Sequence, residues 1–437
     1  MQEPINKLAA KLSLLPLLTF VGLFLGVGLY LQYQGVDYAF YQLPAPVAIL
    51  PAIVIAFLVN KASINQCVET FIKGAGHSNI ITMCLIYLLA GAFSAVASAT
   101  GGVDAVVNAG LSFIPSAFLL PGLFLIAAIV STAMGTSMGT IGAIGPIALA
   151  VSLKTGIDPA LMAGTIVSGA MFGDNLSIIS DTTIAATRTQ ECEMKDKFKE
   201  NLKIALPAAI FTVCLLVFLT PEPQTVETKE FDWLLVLPYA FILFLAVAGI
   251  NVFVVLFSGI LFAAAMGFTG DYKIASFAKD VYTGFSSMQE IFLLSMFIGG
   301  LSEFIRINGG LDYLALKIQW LTSIIAKWHR KVADQLGIAA LVLTSNLCIA
   351  NNTVSIIVAG PVAKKLADDG NIPAKRSASL LDIFACVMQG SLPYGAQALL
   401  LGATFKISPW EVSTSSYYCF ILAFTAVAVI CLRRNKT

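Results

Sequence analysis

The chain is short of charge. Of its 437 residues only 12% are Asp, Glu, Lys or Arg, about half the roughly 25% usual in soluble globular proteins. So few charges cannot cover the surface of a soluble chain this long. With 58% apolar residues and a mean hydropathy of +0.85, the composition predicts a polytopic membrane protein and excludes disorder, a coiled coil and a secreted disulfide scaffold. The net charge of +1 gives no electrostatic footprint for a nucleic-acid partner. Histidine is nearly absent: only His77 and His329 occur, with no HExxH. The eight cysteines include no CxxC pair and read as small packing residues. No Ser/His/Asp set converges, so the sequence gives no sign of a zinc or triad enzyme. The expectation is a non-enzyme that needs no cofactor beyond a coupling ion.

What is present is a succession of apolar runs. Leu12 to Leu31 is long enough to span the roughly 30 Å hydrocarbon core and reads as a first transmembrane helix rather than a cleaved signal. Further runs follow at 46–60, 79–98, 117–134, 141–153, 159–173, 204–220, 232–249, 250–267, 289–305, 336–350, 353–366, 377–390 and 411–432. Two pairs, 117–134/141–153 and 336–350/353–366, are each split by a small polar cluster. Such interruptions are tolerated at membrane depth only inside protein or beside a wet cavity, so each pair reads as a re-entrant hairpin.

An internal repeat is visible. Gly91 to Asp104 recurs 208 positions later as Gly299 to Asp312. The cluster at 136–140 has a counterpart at 349–353, Gly145-Pro146 recurs as Gly360-Pro361, and the stretch after Ser168 corresponds to that after Phe384. The chain therefore reads as a single membrane domain over 1–437 made of two homologous halves, 46–220 and 232–432. With an inside N-terminus and one crossing for each of 159–190 and 377–405, Lys154, Lys229, Lys273, Lys279 and Lys406 fall outside and the other 21 of the 26 Lys and Arg fall inside. This positive-inside bias makes the second half inverted relative to the first and puts both termini in the cytoplasm. The predicted fold class is all-α, with two inverted-topology repeats, each carrying a re-entrant hairpin and a broken helix. That is the pattern of alternating-access secondary transporters.

The most polar stretch at membrane depth runs from Gly173 to Thr183. A carboxylate at the bilayer centre costs about 2.5–3.5 kcal/mol on insertion scales, so Asp174 and Asp181 call for a function. On one helix, Asp174, Ser177 and Asp181 would share a face. If Gly173 and Asn175 instead mark a break, carbonyls are freed beside the carboxylates. Either way Asp174, Asn175, Ser177, Asp181 and Thr182 gather oxygens suited to a hard cation such as Na⁺, for which a proton could compete. Asp181 could equally cap the following helix. The equivalent region of the second half, Gln389 to Gln397, has amides and hydroxyls, Gln389, Ser391 and Gln397 among them, but no carboxylate. Thr136, Ser137 and Thr140 from the first hairpin tip, and Asn346, Asn351, Asn352 and Thr353 from the second, are candidate lining residues. For the hydroxyls, helix packing with back-bonding is the alternative. Glu303 reads as an ion pair with Arg306 or as a proton relay. Asp104 and Asp312 read as N-caps, Asp382 as a site residue or a partner of Arg376, and 191–203 as a solvated inner-surface helix.

Gly135 to Thr140, Gly145-Pro146, Ser168 to Asp174, Ser177 and Ser180-Asp181-Thr182-Thr183 resemble the NhaC-type Na⁺/H⁺ antiporter family of the ion-transporter superfamily, over essentially the whole chain. The resemblance implies ion-coupled secondary transport in a prokaryotic plasma membrane, with Asp174 and Asp181 in the ion site, and admits a homodimer. Ile178 stands where the pattern usually has Pro, so the break is expected to rest on Gly173 and on tertiary contacts. The continuation Thr183 to Gln190 resembles a sub-branch of amino-acid transporters. Three functions follow: Na⁺/H⁺ exchange, ion-coupled carriage of an amino acid such as histidine or of an organic anion, and a channel or membrane-embedded enzyme.

Overall fold

The computed structural model describes residues 7–36, 39–60, 62–113, 115, 118–178, 180–220 and 232–432, and among these every regular element is a helix. Five described helices are long and apolar enough to cross a bilayer: Ala9–Tyr33, Ser78–Ala99, Ser137–Thr155, Met194–Leu219 and His329–Ile349. These and shorter apolar helices keep large apolar side chains exposed, such as Leu18, Leu58, Phe211, Phe218, Phe244 and Phe424. Helices apolar on both faces need an apolar solvent outside as well as a core inside. The chain is a multi-pass membrane protein.

Four elements in the first half place the polar centre. Leu119–Met134 ends at Gly135, whose left-handed φ of 69° turns the chain, and Ser137–Thr155 starts at once with Thr136 as its N-cap. Pro159–Leu176 stops at the extended Ser177, and Asp181–Gln190 resumes with Ser180 as N-cap. The second half repeats this order. Gly310–Ile349, kinked at His329, ends at the left-handed Ala350, and Asn352–Asp369 starts behind the N-cap Asn351. Ala374–Ser391 stops at Leu392, and Ala396–Phe405 resumes behind Gly395. The caps correspond one to one at a spacing of 215 positions: Gly135 and Ala350, Thr136 and Asn351, Ser177 and Leu392, Ser180 and Gly395. The left-handed Glu191 and Lys406 close each series at the same spacing. Thr136 therefore matches Asn351, two positions beyond the register that composition suggested. Even the packing bonds match: Ser131 Oγ donates to Ala170 O (2.7 Å), and Asn346 Nδ2 to Ala385 O (2.9 Å). Nearer the N-terminal side, Tyr87 Oη and Ser295 Oγ, 208 positions apart, meet at 3.2 Å across the halves.

Several expectations are corrected. The first broken helix runs unbroken through Gly173 and ends three residues later, so Asp174, Ser177 and Asp181 do not share one helical face. Gly173 serves packing: a Cβ there would lie 2.3 Å from Ser131 Cβ. Asp104 and Asp312 sit within the first helical turns of Gly102–Phe113 and Gly310–Ile349 rather than at the caps. The charged 191–203 stretch is not simply solvated. From Met194 it is the start of the Met194–Leu219 helix, and Lys197, Glu200 and Asn201 are buried. Lys197 thus leaves the basic inner rim to which the charge count assigned it. Of the other counted cations, Lys61, Lys229, Arg433, Arg434 and Lys436 lie outside the described residues.

Candidate ion-binding site

Asp174 is buried, 3% exposed, two residues before the break. Ser137 donates its hydroxyl and its backbone N–H to the carboxylate. Ser137 is the first residue of its helix, so that N–H has no intrahelical partner and the helix dipole favours an anion there. The other oxygen, Oδ1, is buried without a hydrogen-bond partner. A buried carboxylate oxygen left unpaired is costly, and Asp174 is among the residues that line an open cavity.

That cavity gathers most of the residues picked from sequence: Thr136 and Ser137 from the first tip, Asp174, Asp181 and Thr182 around the first break, Asn351, Asn352 and Thr353 from the second tip, and Gln389 and Gln397 around the second break. A hydrogen-bond chain crosses it. Gln389 Nε2 donates to Gln397 Oε1 (2.7 Å) and to Ala350 O (3.4 Å), and Gln397 Nε2 donates to Ser137 Oγ (3.2 Å). The second half thus reaches the donor that holds Asp174. Asp181 is exposed toward the cavity and is not the cap. Ser180 takes that role, its Oγ accepting from Thr183 N (3.2 Å).

Other predicted residues lie elsewhere. Thr140 back-bonds to Thr136 O (3.0 Å) within its helix. Asn346 ties its helix to Ala385 O, and Ser391 Oγ is buried without a partner. Glu303 accepts two bonds from Arg306, at 2.6 and 2.7 Å, and lies 3.7 Å from Lys73. It lines a separate cavity, which shares Asn351 with the first.

Asn175 and Ser177 face a second polar centre behind the cavity. Lys197 Nζ lies 2.9 Å from Asp382 Oδ2, and both side chains are almost fully buried. The ammonium also donates to Thr183 Oγ1 (2.6 Å) and to Asn175 O (3.3 Å). Asn201 Nδ2 bonds Asn175 O and Asp382 Oδ2, both at 2.7 Å, and Tyr418 Oη donates to Asn175 Oδ1 (3.0 Å). Thr183 Oγ1 in turn donates to Ser177 O (2.7 Å). The carbonyls freed at the break are therefore taken by side chains. Asp382 pairs with Lys197 rather than Arg376.

Residues 5–220 match the Na⁺/H⁺ antiporter family. The chain is 24% identical over 369 residues to the Na⁺/H⁺ antiporter NhaC of Alkalihalophilus pseudofirmus, covering 78% of this chain and 80% of that one. The chain belongs to the Na⁺/H⁺ antiporter family. Its relatives also include the malate-2H⁺/Na⁺-lactate antiporter of Bacillus subtilis, 27% identical over 81% of both chains. The arginine/ornithine antiporter ArcD of Halobacterium salinarum is 24% identical over 81% of this chain and 80% of its own. The protein is thus an ion-coupled membrane transporter of this antiporter family. The matched stretch contains Asp174, Asp181, Lys197 and Asn201 but not Asp382 or Tyr418. Lys197, Asn201 and Tyr418 were missed by sequence reasoning. The first two sit in a charged run resembling a solvated surface, and Tyr418 is one aromatic among many. An Asn four residues after a Lys, on the side of the helix that continues into an apolar run, was the available signal.

Proposed function

We propose that this antiporter-family protein exchanges Na⁺ for protons at Asp174, by alternating access between two inverted repeats whose helix pairs are re-entrant hairpins. The observation that carries the reading is Asp174: its Oδ1 is buried and unpartnered, and the residue lines the cavity where both tips and both breaks meet. An oxygen in that position takes a cation or a proton but not both, which is the competition antiport requires. The all-oxygen groups of Asp181, Thr182 and Thr136 stand around the same cavity and suit a hard cation. The matched caps of the two halves support the repeat, and the uneven division of Lys and Arg along the sequence, with Lys197 set aside, supports its inversion and a plasma-membrane orientation with cytoplasmic termini. In liposomes under an imposed Na⁺ gradient, internal pH should change without any organic solute, and Asp174→Asn should abolish that change in folded protein. Unchanged exchange by the variant would remove Asp174 from the site.

A second reading has its own observation. Asn351, Asn352, Gln389 and Gln397 give the cavity an amide wall that can hydrogen-bond a zwitterion or carboxylate, and relatives are named for malate, lactate, arginine and ornithine. Liposomes that are silent to Na⁺ alone but accumulate labelled histidine, arginine or malate under the gradient would favour this carrier over pure exchange.

A further inference from the structure

The ammonium of Lys197 is held in a way that a side-chain ion pair alone does not explain. Its three donors meet three oxygens from three separate segments: the main-chain carbonyl of Asn175 at the end of Pro159–Leu176, the hydroxyl of Thr183 at the start of Asp181–Gln190, and Oδ2 of Asp382 on Ala374–Ser391. Two of the three are neutral oxygens, and one of these, the Asn175 carbonyl, is freed by the helix break. Asp382 Oδ1 and Asn201 Oδ1, each on a fully buried side chain of the same network, have no partner. Carboxylate, carbonyl and hydroxyl oxygens are also the ligand types that hard metal cations take, and here they close around one positive charge. Nothing else in the network neutralises Asp382, because Asn201, Asn175 and Tyr418 are uncharged.

We propose that this cage is a second monovalent-cation site, permanently filled by the chain's own Lys197 ammonium. The tether makes the charge resident. It holds the two halves of the broken helix and the second half of the protein together, and it leaves Asp174 as the carboxylate available to a mobile ion. Removing the ammonium while keeping the cage should let a free cation take its place.

The test uses the full chain carrying Asp174→Asn, so that the cavity carboxylate contributes nothing and the two readings can fail separately. The thermal midpoint is followed in detergent against rising NaCl or KCl, with choline chloride keeping ionic strength constant. The Asp174→Asn parent should show no cation-specific response. Adding Lys197→Ala should lower the midpoint in choline and create a saturable rise with Na⁺ or K⁺, and adding Asp382→Asn should abolish that rise. Lys197→Gln, which keeps most of the stem, should behave as Lys197→Ala does if the smaller residue impairs packing. Identical melting in all three salts would overturn the proposal, as would a response that survives Asp382→Asn. Failure of both Lys197 variants to fold in every salt would overturn it too, since a cage that accepts a free cation is restored by one.

Discussion

At the scale of single residues, the protein separates two ways of keeping a carboxylate inside a membrane. Asp382 is neutralised by a lysine and accepts from two amides on the same oxygen. Asp174 has only a serine and a helix N-terminus on one side and an open cavity on the other. The first arrangement is structural in energy terms: breaking a buried pair by removing one partner costs about 3–5 kcal/mol, whereas replacing both by apolar residues is often neutral. Asp382→Ala should therefore destabilise the protein by about that amount in detergent unfolding, while Lys197→Met combined with Asp382→Leu should lose less than either single change. Equal losses in all three would place the energy in the Asn201 and Asn175 hydrogen bonds instead.

The elements are held by close helix approach as much as by hydrogen bonds. Lipid supplies no hydrophobic drive between helices, so small residues that let backbones touch become the adhesive. Gly169 is such a contact: a Cβ there would lie 2.4 Å from Phe124 O and 2.8 Å from Ala127 Cβ. Gly169→Ala should force Pro159–Leu176 away from Leu119–Met134, cost about 1–3 kcal/mol of stability and impair transport, because the same two helices hold Asp174 and the first tip. Gly122→Ala, with nothing within 4 Å, is the control and should melt no lower than the parent. Comparable loss in both would mean that the helix pair tolerates no substitution, rather than that the approach at Gly169 matters.

Over the whole molecule, the proposed orientation rests on the two series of capped helices and on the distribution of Lys and Arg along the sequence. Lys273 and Arg330 are both exposed and fall on opposite sides in the inverted arrangement. Single cysteines in a Cys-free background should be labelled by an impermeant reagent from outside at position 273 and only from inside at position 330. The reverse pattern would overturn the orientation, and labelling of both from one side would overturn the crossing count.

The elements were legible in the sequence where local cost is high. A carboxylate, a proline or an asparagine cluster within an apolar run is expensive in lipid whatever surrounds it, so Asp174, the two tips and the two breaks stood out from composition alone. The exact position of the first break did not, because Gly173 can end a helix or allow one to pack, and only the neighbouring Ser131 decides which. Lys197 was hidden for the opposite reason. In a run of alternating charges a lysine costs nothing in water, and nothing local marks one of them as buried. Sequence by itself determined an all-helical membrane protein and singled out Asp174, since both follow from hydropathy and spacing along the chain. The tertiary structure alone decided that Lys197 and Asn201 close on Asp382, 185 and 181 positions away, because that pairing stabilises only once both halves exclude water from it.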